Sequence, residues 1–205
     1  DGAANRTKHL LFGKRSPTVS CMKSVRIGAG LGFYGDSWRP VRASIESGGV
    51  QYIASDHLAE LTLAILQKDR QKDPSAGYAR DCVPMLIELW PMAAERGVKF
   101  VMNAGGLNPH GAREAVARAF KEKGFKARIA VVTGDSISDR IDELQSKGET
   151  LRHMDTGADI GSVRERLLFA NAYLGAAPIA EALAQGADIV ITGRVADAAL
   201  SLGPI

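Results

Sequence analysis

Short loops rich in glycine, aspartate and asparagine recur along the chain, each directly after a stretch that is typical of a β-strand. The first loop runs from Gly28 to Asp36, and four others cover residues 55–57, 103–108, 133–136 and 192–197. In parallel α/β folds the carboxyl ends of the strands meet at one edge, where ligands bind. The pattern therefore predicts a ligand site built from these loops.

Proton transfer at such a site needs a side chain that ionises in a useful range. Histidine titrates nearest to neutral pH, and carboxylates act as general acids or bases when their environment suits. The candidates are His57, Asp36, Asp56, Asp135 and Asp197. Asn103 is the candidate donor to a developing oxyanion. We therefore predict His57, Asp135, Asn103 and Asp197 as catalytic residues, although His57 reads equally well as a first-turn helix residue.

An anionic substrate is the partner that the loops favour. Helix N-termini carry free N–H groups and partial positive charge, and Arg194 adds a full charge. The predicted substrate-binding residues are Gly30, Gly32, Asp36, Asp56, Gly105, Gly106, Asn108, Thr133, Gly134, Asn171, Thr192, Gly193 and Arg194. Helix capping is the competing interpretation for Asp56, Asn108 and Asp135.

The first loop fits Gly-x-Gly-x-x-Gly at Gly30, Gly32 and Gly35, and Asp56 follows about 20 residues later, as in dinucleotide-binding proteins. In those proteins the helix starts at the second glycine. Here Pro40 is tolerated only if the helix begins near residue 38, so NAD is disfavoured. The carboxylates leave a divalent metal open, but no ligand spacing supports a metal site, and no cofactor is required by the pattern.

Apolar stretches that alternate with helical patterns predict about six strands. These strands cover residues 25–28, 50–55, 98–103, 128–133, 167–171 and 188–192, although residues 164–170 read equally well as a helix. Several are continuous apolar runs, which indicates a mostly parallel, doubly wound sheet with helices on both faces. A partial β/α barrel is the alternative, although a full barrel needs about 250 residues and eight repeats.

Capping residues and breakers set the predicted helix boundaries. Asp56 and Asp81 are candidate N-caps, as is Asn108 with Pro109 in the first helical position. Gly124 is expected to end the helix that starts there. The polar run 67–77 is predicted to be a loop.

Charge is unevenly distributed. Residues 1–24 hold five basic residues against one acidic residue, which leaves 21 basic against 22 acidic residues in the remainder. No basic face for nucleic acid follows, and no apolar run is long enough to cross a membrane. We predict a disordered basic extension over residues 1–21 and an α/β domain over 22–205, the N-terminal portion of a longer protein. Two cysteines favour a cytoplasmic location, or a mitochondrial one if the extension is a presequence.

Seven motifs in order make the resemblance to a known family specific. They are residues 28–36 (GAGLGFYGD), 56–66 (DHLAELTLAIL), 73–81 (DPSAGYARD), 103–109 (NAGGLNP), 132–135 (VTGD), 170–176 (ANAYLGA) and 192–200 (TGRVADAAL). At these motifs, residues 25–205 resemble the acyclic terpene utilisation family. Ser136 stands where the family pattern has a second acid, which counts against a two-carboxylate metal site there.

The resemblance implies a catabolic enzyme that handles branched acyl or acyl-CoA compounds, of lyase, hydratase or hydrolase type. A non-catalytic ligand-binding or assembly subunit of a catabolic pathway is the alternative. The expected partner is a small anionic substrate, with acyl-CoA as one form. The pattern leaves a homo-oligomer open.

Overall fold

A computed structural model of the chain describes residues 24–205, which form a five-stranded parallel sheet with helices around it. The predicted basic extension over residues 1–21 lies outside the described residues. The strands are β1 (Ile27–Ala29), β2 (Tyr52–Ser55), β3 (Lys99–Met102), β4 (Ile129–Val132) and β5 (Ile189–Thr192). The helices are α1 (Arg39–Ser47), α2 (Glu60–Lys72), α3 (Cys82–Glu95), α4 (Pro109–Lys123), α5 (Ile141–Ser146), α6 (Ala177–Ala184) and α7 (Ala199–Leu202).

The sheet has the strand order β1-β2-β3-β5-β4. In the registers of neighbouring strands, Ile53 lies beside both Gly28 and Phe100, and Val190 lies beside both Val101 and Ala130. The chain steps outward from β1 to β3, passes over one strand position to form β4, and then returns to place β5 in the gap. The loops that follow β3 and β4 therefore flank the end of β5.

Two apolar layers cover the sheet. On one face, side chains such as Phe100 and Ile191 pack against α1, α3 and α4. On the other face, Val101 and Val190 pack against α6 and α7. Because strand side chains alternate between faces, a strand covered on both sides must be apolar throughout, and all four residues of β5 are buried. The predicted doubly wound sheet is confirmed. The described residues do not form a partial barrel, since the strand order is not sequential and helices cover both faces of the sheet.

The predicted strand over residues 167–171 is wrong. A short 3-10 turn at Arg164–Arg166 leads into extended chain, and only Asn171 makes an isolated bridge, to Ser136. The end of this segment pairs with the loop after β4, where the Ala172 N–H donates to Asp135 O at 2.7 Å, and so it does not join the open edge of β4. The described sheet therefore has five strands instead of about six.

An irregular segment, residues 147–169, precedes that bridge, and we call it the excursion. Its side chains are mostly exposed. The longer segment that contains α5 and the excursion is closed where the Ala170 N–H donates to Ser138 Oγ at 2.8 Å and the Ile137 N–H donates to Ala170 O at 2.9 Å. The excursion therefore ends beside the loop that follows β4.

Helix α2 differs from its prediction at both ends. It begins at Glu60, and the Asp56 side chain does not cap it but accepts the Leu58 N–H at 3.1 Å. It continues to Lys72, so residues 67–72 are helical and not a loop. Glutamine, lysine and arginine are good helix formers, and their polarity alone does not indicate a loop. Asp81 directly precedes α3 as predicted, but its carboxylate makes no capping bond.

The start of α4 matches its prediction. Asn108 Oδ1 accepts the Gly111 N–H at 3.0 Å, Pro109 is the first helical residue, and Gly124 ends the helix in the left-handed conformation. Within residues 24–205, no helix is long and apolar enough to cross a membrane.

Replacing Asn108 tests this cap. Asn108 Nδ2 also donates to Ser75 O and Ala76 O, both at 3.0 Å, so Asn108→Ala loses the cap and two loop contacts. We expect a loss of about 1–2 kcal/mol in the free energy of unfolding, measured by urea denaturation. Asn108→Ser retains a capping oxygen and should lose less. Equal losses in the two variants would contradict the capping role.

Candidate functional site

The glycine loop after β1 packs against β2. A Cβ atom at Gly30 would lie 2.4 Å from Ser55 Cβ, so only glycine fits there. The next residue, Leu31, donates its N–H to Ser55 Oγ at 2.9 Å. The loop also closes on itself, since the Gly32 N–H donates to Asp36 Oδ2 at 3.1 Å. Glycine at position 30 therefore allows the glycine loop and β2 to pack closely against each other.

A buried relay continues from that hydroxyl. Ser55 Oγ lies 3.0 Å from His57 Nε2, and His57 Nδ1 lies 3.3 Å from Asp81 Oδ1, without the alignment of a hydrogen bond. The carboxylate favours the proton on Nδ1, so Nε2 accepts from the Ser55 hydroxyl. Asp81 Oδ2 accepts the Gly35 N–H at 2.7 Å. The relay thus fastens both ends of the glycine loop. His57 is fully buried and does not line a described cavity.

Asn103, at the end of β3, joins its own loop to the loop after β2. Its Oδ1 accepts the His57 N–H, and its Nδ2 donates to Asp56 Oδ1, both at 2.6 Å. Two residues later, the Gly105 N–H donates to Thr192 O at 3.0 Å, next to the end of β5. The Asn103 amide is therefore occupied by protein partners on both sides.

Asp135, in the loop after β4, is a buried carboxylate with 4% of its surface exposed. Its Oδ2 accepts the Arg194 backbone N–H and the Asn171 side-chain amide, both at 2.8 Å. A Cβ atom at Gly193 would lie 2.5 Å from each carboxylate oxygen. Within residues 24–205, Asp135 Oδ1 accepts no hydrogen bond. One oxygen is therefore fixed by the protein, and the other remains free to accept.

Arg194 is also buried, at 4% exposure. Its guanidinium donates to Leu58 O at 2.8 Å and to Asp197 Oδ1 at 2.6 Å, and it lies 4.1 Å from the centroid of the Tyr173 ring. The Tyr173 hydroxyl donates to Glu60 Oε1 at 2.7 Å, which lowers the pKa of Glu60. The same bond, together with burial, raises the pKa of Tyr173. Arg194 therefore joins the loops after β2 and β5, and its contact with a substrate stays a prediction.

A cavity of about 480 Å³ opens beside the ends of β3 and β4. Its lining includes five of the predicted site residues, namely Gly106, Thr133, Gly134, Asp135 and Asn171. It also includes residues that the sequence interpretation missed, namely Gln67, Arg70, Gln71, Leu107, Pro109, Ser136, Ser138, Asp139, Leu168 and Phe169. The other predicted residues are absent from its lining, and many of them join the loops to one another.

The missed residues on α2 had a signal in the sequence. Gln67, Arg70 and Gln71 are spaced i, i+3 and i+4, so they share one polar side of a helix. The polarity of residues 67–77 is typical of a loop, and it hides this helical spacing.

The walls of the cavity differ in character. Leu107 and Phe169 also pack against the apolar cluster of Leu58, Leu63 and Leu66, which makes this wall apolar and continuous with the protein interior. Leu168 adds to it and is 59% exposed. Arg70 contributes a positive charge, with one guanidinium nitrogen donating to Leu107 O at 3.2 Å. The cavity therefore combines an apolar wall with a charged one.

Backbone donors add to the polar side. In the described part of the chain, the N–H groups of Gly134, Asp135 and Ser136 donate to no protein acceptor. Gly134 adopts a positive φ of 110°. Successive free N–H groups of this kind bind anions in many proteins.

A larger hollow of about 690 Å³ lies along the outer edge of β4, between α4 and α6. Of the predicted site residues, it includes only Thr133. We place the candidate site in the smaller cavity because the buried Asp135 carboxylate faces it.

Two other chemistries find little support among the described residues. Burial raises the pKa of the Cys82 thiol, so Cys82 is a poor nucleophile. No group of three His, Cys, Asp or Glu side chains within residues 24–205 is arranged to hold a metal ion.

A comparison with protein-family models gives a match over residues 25–205 to the model described as acyclic terpene utilisation family protein AtuA. The match confirms the resemblance drawn from the seven motifs. No curated protein and no solved structure matches the chain significantly.

Gly193→Ala tests the packing of the Asp135 carboxylate. The added methyl group overlaps both carboxylate oxygens, so Asp135 must move and its two hydrogen bonds weaken. We expect a loss of about 1–3 kcal/mol in the free energy of unfolding, measured by urea denaturation. Gly175→Ala is the matched control, because a Cβ atom there meets no atom within 4 Å. A Gly193→Ala variant as stable as Gly175→Ala would refute this close approach.

His57→Ala tests the buried relay. Its loss leaves the Ser55 hydroxyl and the Asp81 carboxylate without their partner in the interior, at a cost of about 2–4 kcal/mol. His110→Ala, at an exposed position of α4, should leave stability nearly unchanged. Thermal and chemical unfolding of the two variants give the comparison. Similar stability in both would show that the relay contributes little.

Proposed function

Because the chain belongs to the acyclic terpene utilisation family, we propose that it is an enzyme of acyclic terpenoid or branched-chain acid catabolism. Its substrate is an anionic acyl compound, either a free acid or a CoA thioester, bound in the 480 Å³ cavity. We further propose that it acts in the cytoplasm on small molecules.

The Asp135 carboxylate carries this proposal. It is 4% exposed and lines the cavity, one oxygen is held by two donors, and the other accepts nothing from the described residues. A side chain that is fixed in orientation and has one free oxygen is suited to take and return a proton. Asp135 is therefore preferred to His57, whose two ring nitrogens face Ser55 and Asp81 inside the protein.

The two kinds of wall suit an amphipathic acyl compound. Leu107, Leu168 and Phe169 contact the branched hydrocarbon chain by apolar burial. Arg70 and the free N–H groups of the Gly134 loop hold the carboxylate or thioester end.

The oxyanion role that the sequence interpretation gave to Asn103 passes in this proposal to the loop after β4. Both ends of the Asn103 amide are occupied by Asp56 and His57, so Asn103 acts by positioning. The N–H groups of Gly134 and Ser136 have no protein acceptor and stabilise negative charge that develops on the acyl oxygen. This combination of a proton carrier and an oxyanion site fits a lyase, a hydratase or a hydrolase.

Asp135→Asn provides the main test. Acyclic terpenoid acids and their CoA thioesters are incubated with the purified chain, and the products are identified by mass spectrometry. Asparagine has the shape of aspartate and can keep its oxygen toward the Arg194 N–H and the Asn171 amide, but it does not accept a proton. We expect turnover to fall by about 10²–10⁴-fold.

Asp155→Asn removes the same charge from an exposed position in the excursion and should retain full turnover. Arg70→Gln should weaken substrate binding, whereas Lys68→Gln, at an exposed position of the same helix, should not. Unchanged turnover in Asp135→Asn would overturn the proposed role of Asp135. Ligand-induced thermal stabilisation without any turnover would favour the alternative of a non-catalytic binding or assembly subunit.

A further inference from the structure

The free oxygen of Asp135 restricts which group of a ligand can face it. A carboxylate only accepts hydrogen bonds, and a buried polar atom left without a partner is costly. Asp135 Oδ2 already has two donors, whereas Oδ1 has none within residues 24–205. A ligand that fills the cavity shields Oδ1 from water, so the ligand must supply the donor.

The neighbouring side chain does not supply that donor. Asn171 donates one amide hydrogen to Asp135 Oδ2 and makes no hydrogen bond to Oδ1, and its own Oδ1 is buried without a hydrogen-bond partner. Among the described residues, no group therefore donates to Asp135 Oδ1.

An ammonium and a hydroxyl are the ligand groups that can donate here. The cavity is lined by two carboxylates, Asp135 and Asp139, and by one guanidinium, Arg70, so its charge does not select between them. The acyl compounds of the proposed function carry no amine, which leaves the hydroxyl. A carboxylate of the ligand is excluded from contact with Asp135 Oδ1 itself, because two carboxylates repel one another. The anionic end of the ligand then lies toward Arg70 and the free N–H groups of the Gly134 loop, and a hydroxyl lies toward Asp135 Oδ1.

We propose that the cavity selects acyl compounds that carry a hydroxyl group, whose O–H donates to Asp135 Oδ1. This inference rests on the proposed function and narrows its substrate class to hydroxyacyl compounds. A site built around a hydrogen bond to a substrate hydroxyl rejects the analogue without that hydroxyl, because its own polar group is left unpaired.

Three ligands that differ in one substituent provide the test, namely octanoic acid, β-hydroxyoctanoic acid and β-methoxyoctanoic acid. Their binding is measured by calorimetry, as free acids and as CoA thioesters. A hydrogen bond to a charged group contributes about 1.5–3 kcal/mol, so the hydroxylated ligand should bind the wild-type chain at least about tenfold more tightly than the other two. The methyl ether accepts a hydrogen bond but does not donate one, so it isolates the donor requirement.

Asp135→Asn inverts that requirement. With its oxygen kept toward Arg194 and Asn171, the asparagine presents an amide N–H to the cavity, and this group donates to an ether as well as to a hydroxyl. The preference for the hydroxyl over the methyl ether should therefore fall to near unity in Asp135→Asn and remain intact in Asp155→Asn.

Equal binding of the three ligands by the wild-type chain would overturn the inference, and so would an unchanged preference in Asp135→Asn. Both outcomes leave the proposed function standing, since the ligands still bind. If none of the three binds as acid or thioester, the proposed function fails together with the inference.

Discussion

The hydrogen bonds to Asp135 Oδ2 join three segments that are far apart in the sequence. The carboxylate follows β4, the Arg194 N–H follows β5, and the Asn171 amide follows the excursion. A buried carboxylate needs such donors, because an unsatisfied charge in the interior is costly. The same need fixes the orientation of Asp135 and so directs its second oxygen. The orientation of Asp135 in the cavity is thus a consequence of the donors that its buried charge requires.

Much of the fold was predictable from local patterns. Apolar runs located all five observed strands, and Asn108, Pro109 and Gly124 marked the limits of α4 because their preferences act within one turn of a helix. The five loops at the strand ends were predictable for a similar reason, since parallel strands bring their carboxyl ends to one edge. Asp135 and Gly134 were among the residues that this argument selected.

Long-range contacts account for most of what the sequence did not reveal. Asp56 looked like a helix cap, but Asn103, 47 residues away, takes its carboxylate as a partner. Asp81 is occupied in the same way by Gly35 and His57. Residues 167–171 have the composition of a strand, yet the end of this segment pairs with the loop after β4 through Ser136 and Asn171. The local structural preference of a residue does not encode which distant residue it contacts in the folded chain.

The excursion has a consequence for how this protein family can diversify. The hydrogen bond between Ser138 and Ala170 closes the segment that contains α5 and the excursion, and the excursion contributes Leu168 and Phe169 to one wall of the cavity. The entropy of closing a loop grows slowly with its length, by about 0.6 kcal/mol for each doubling. Insertions and deletions in this segment are therefore cheap, and they reshape the apolar wall while Asp135 keeps its place. Specificity can thus evolve separately from the proton-transfer chemistry, through changes in the length of one surface loop.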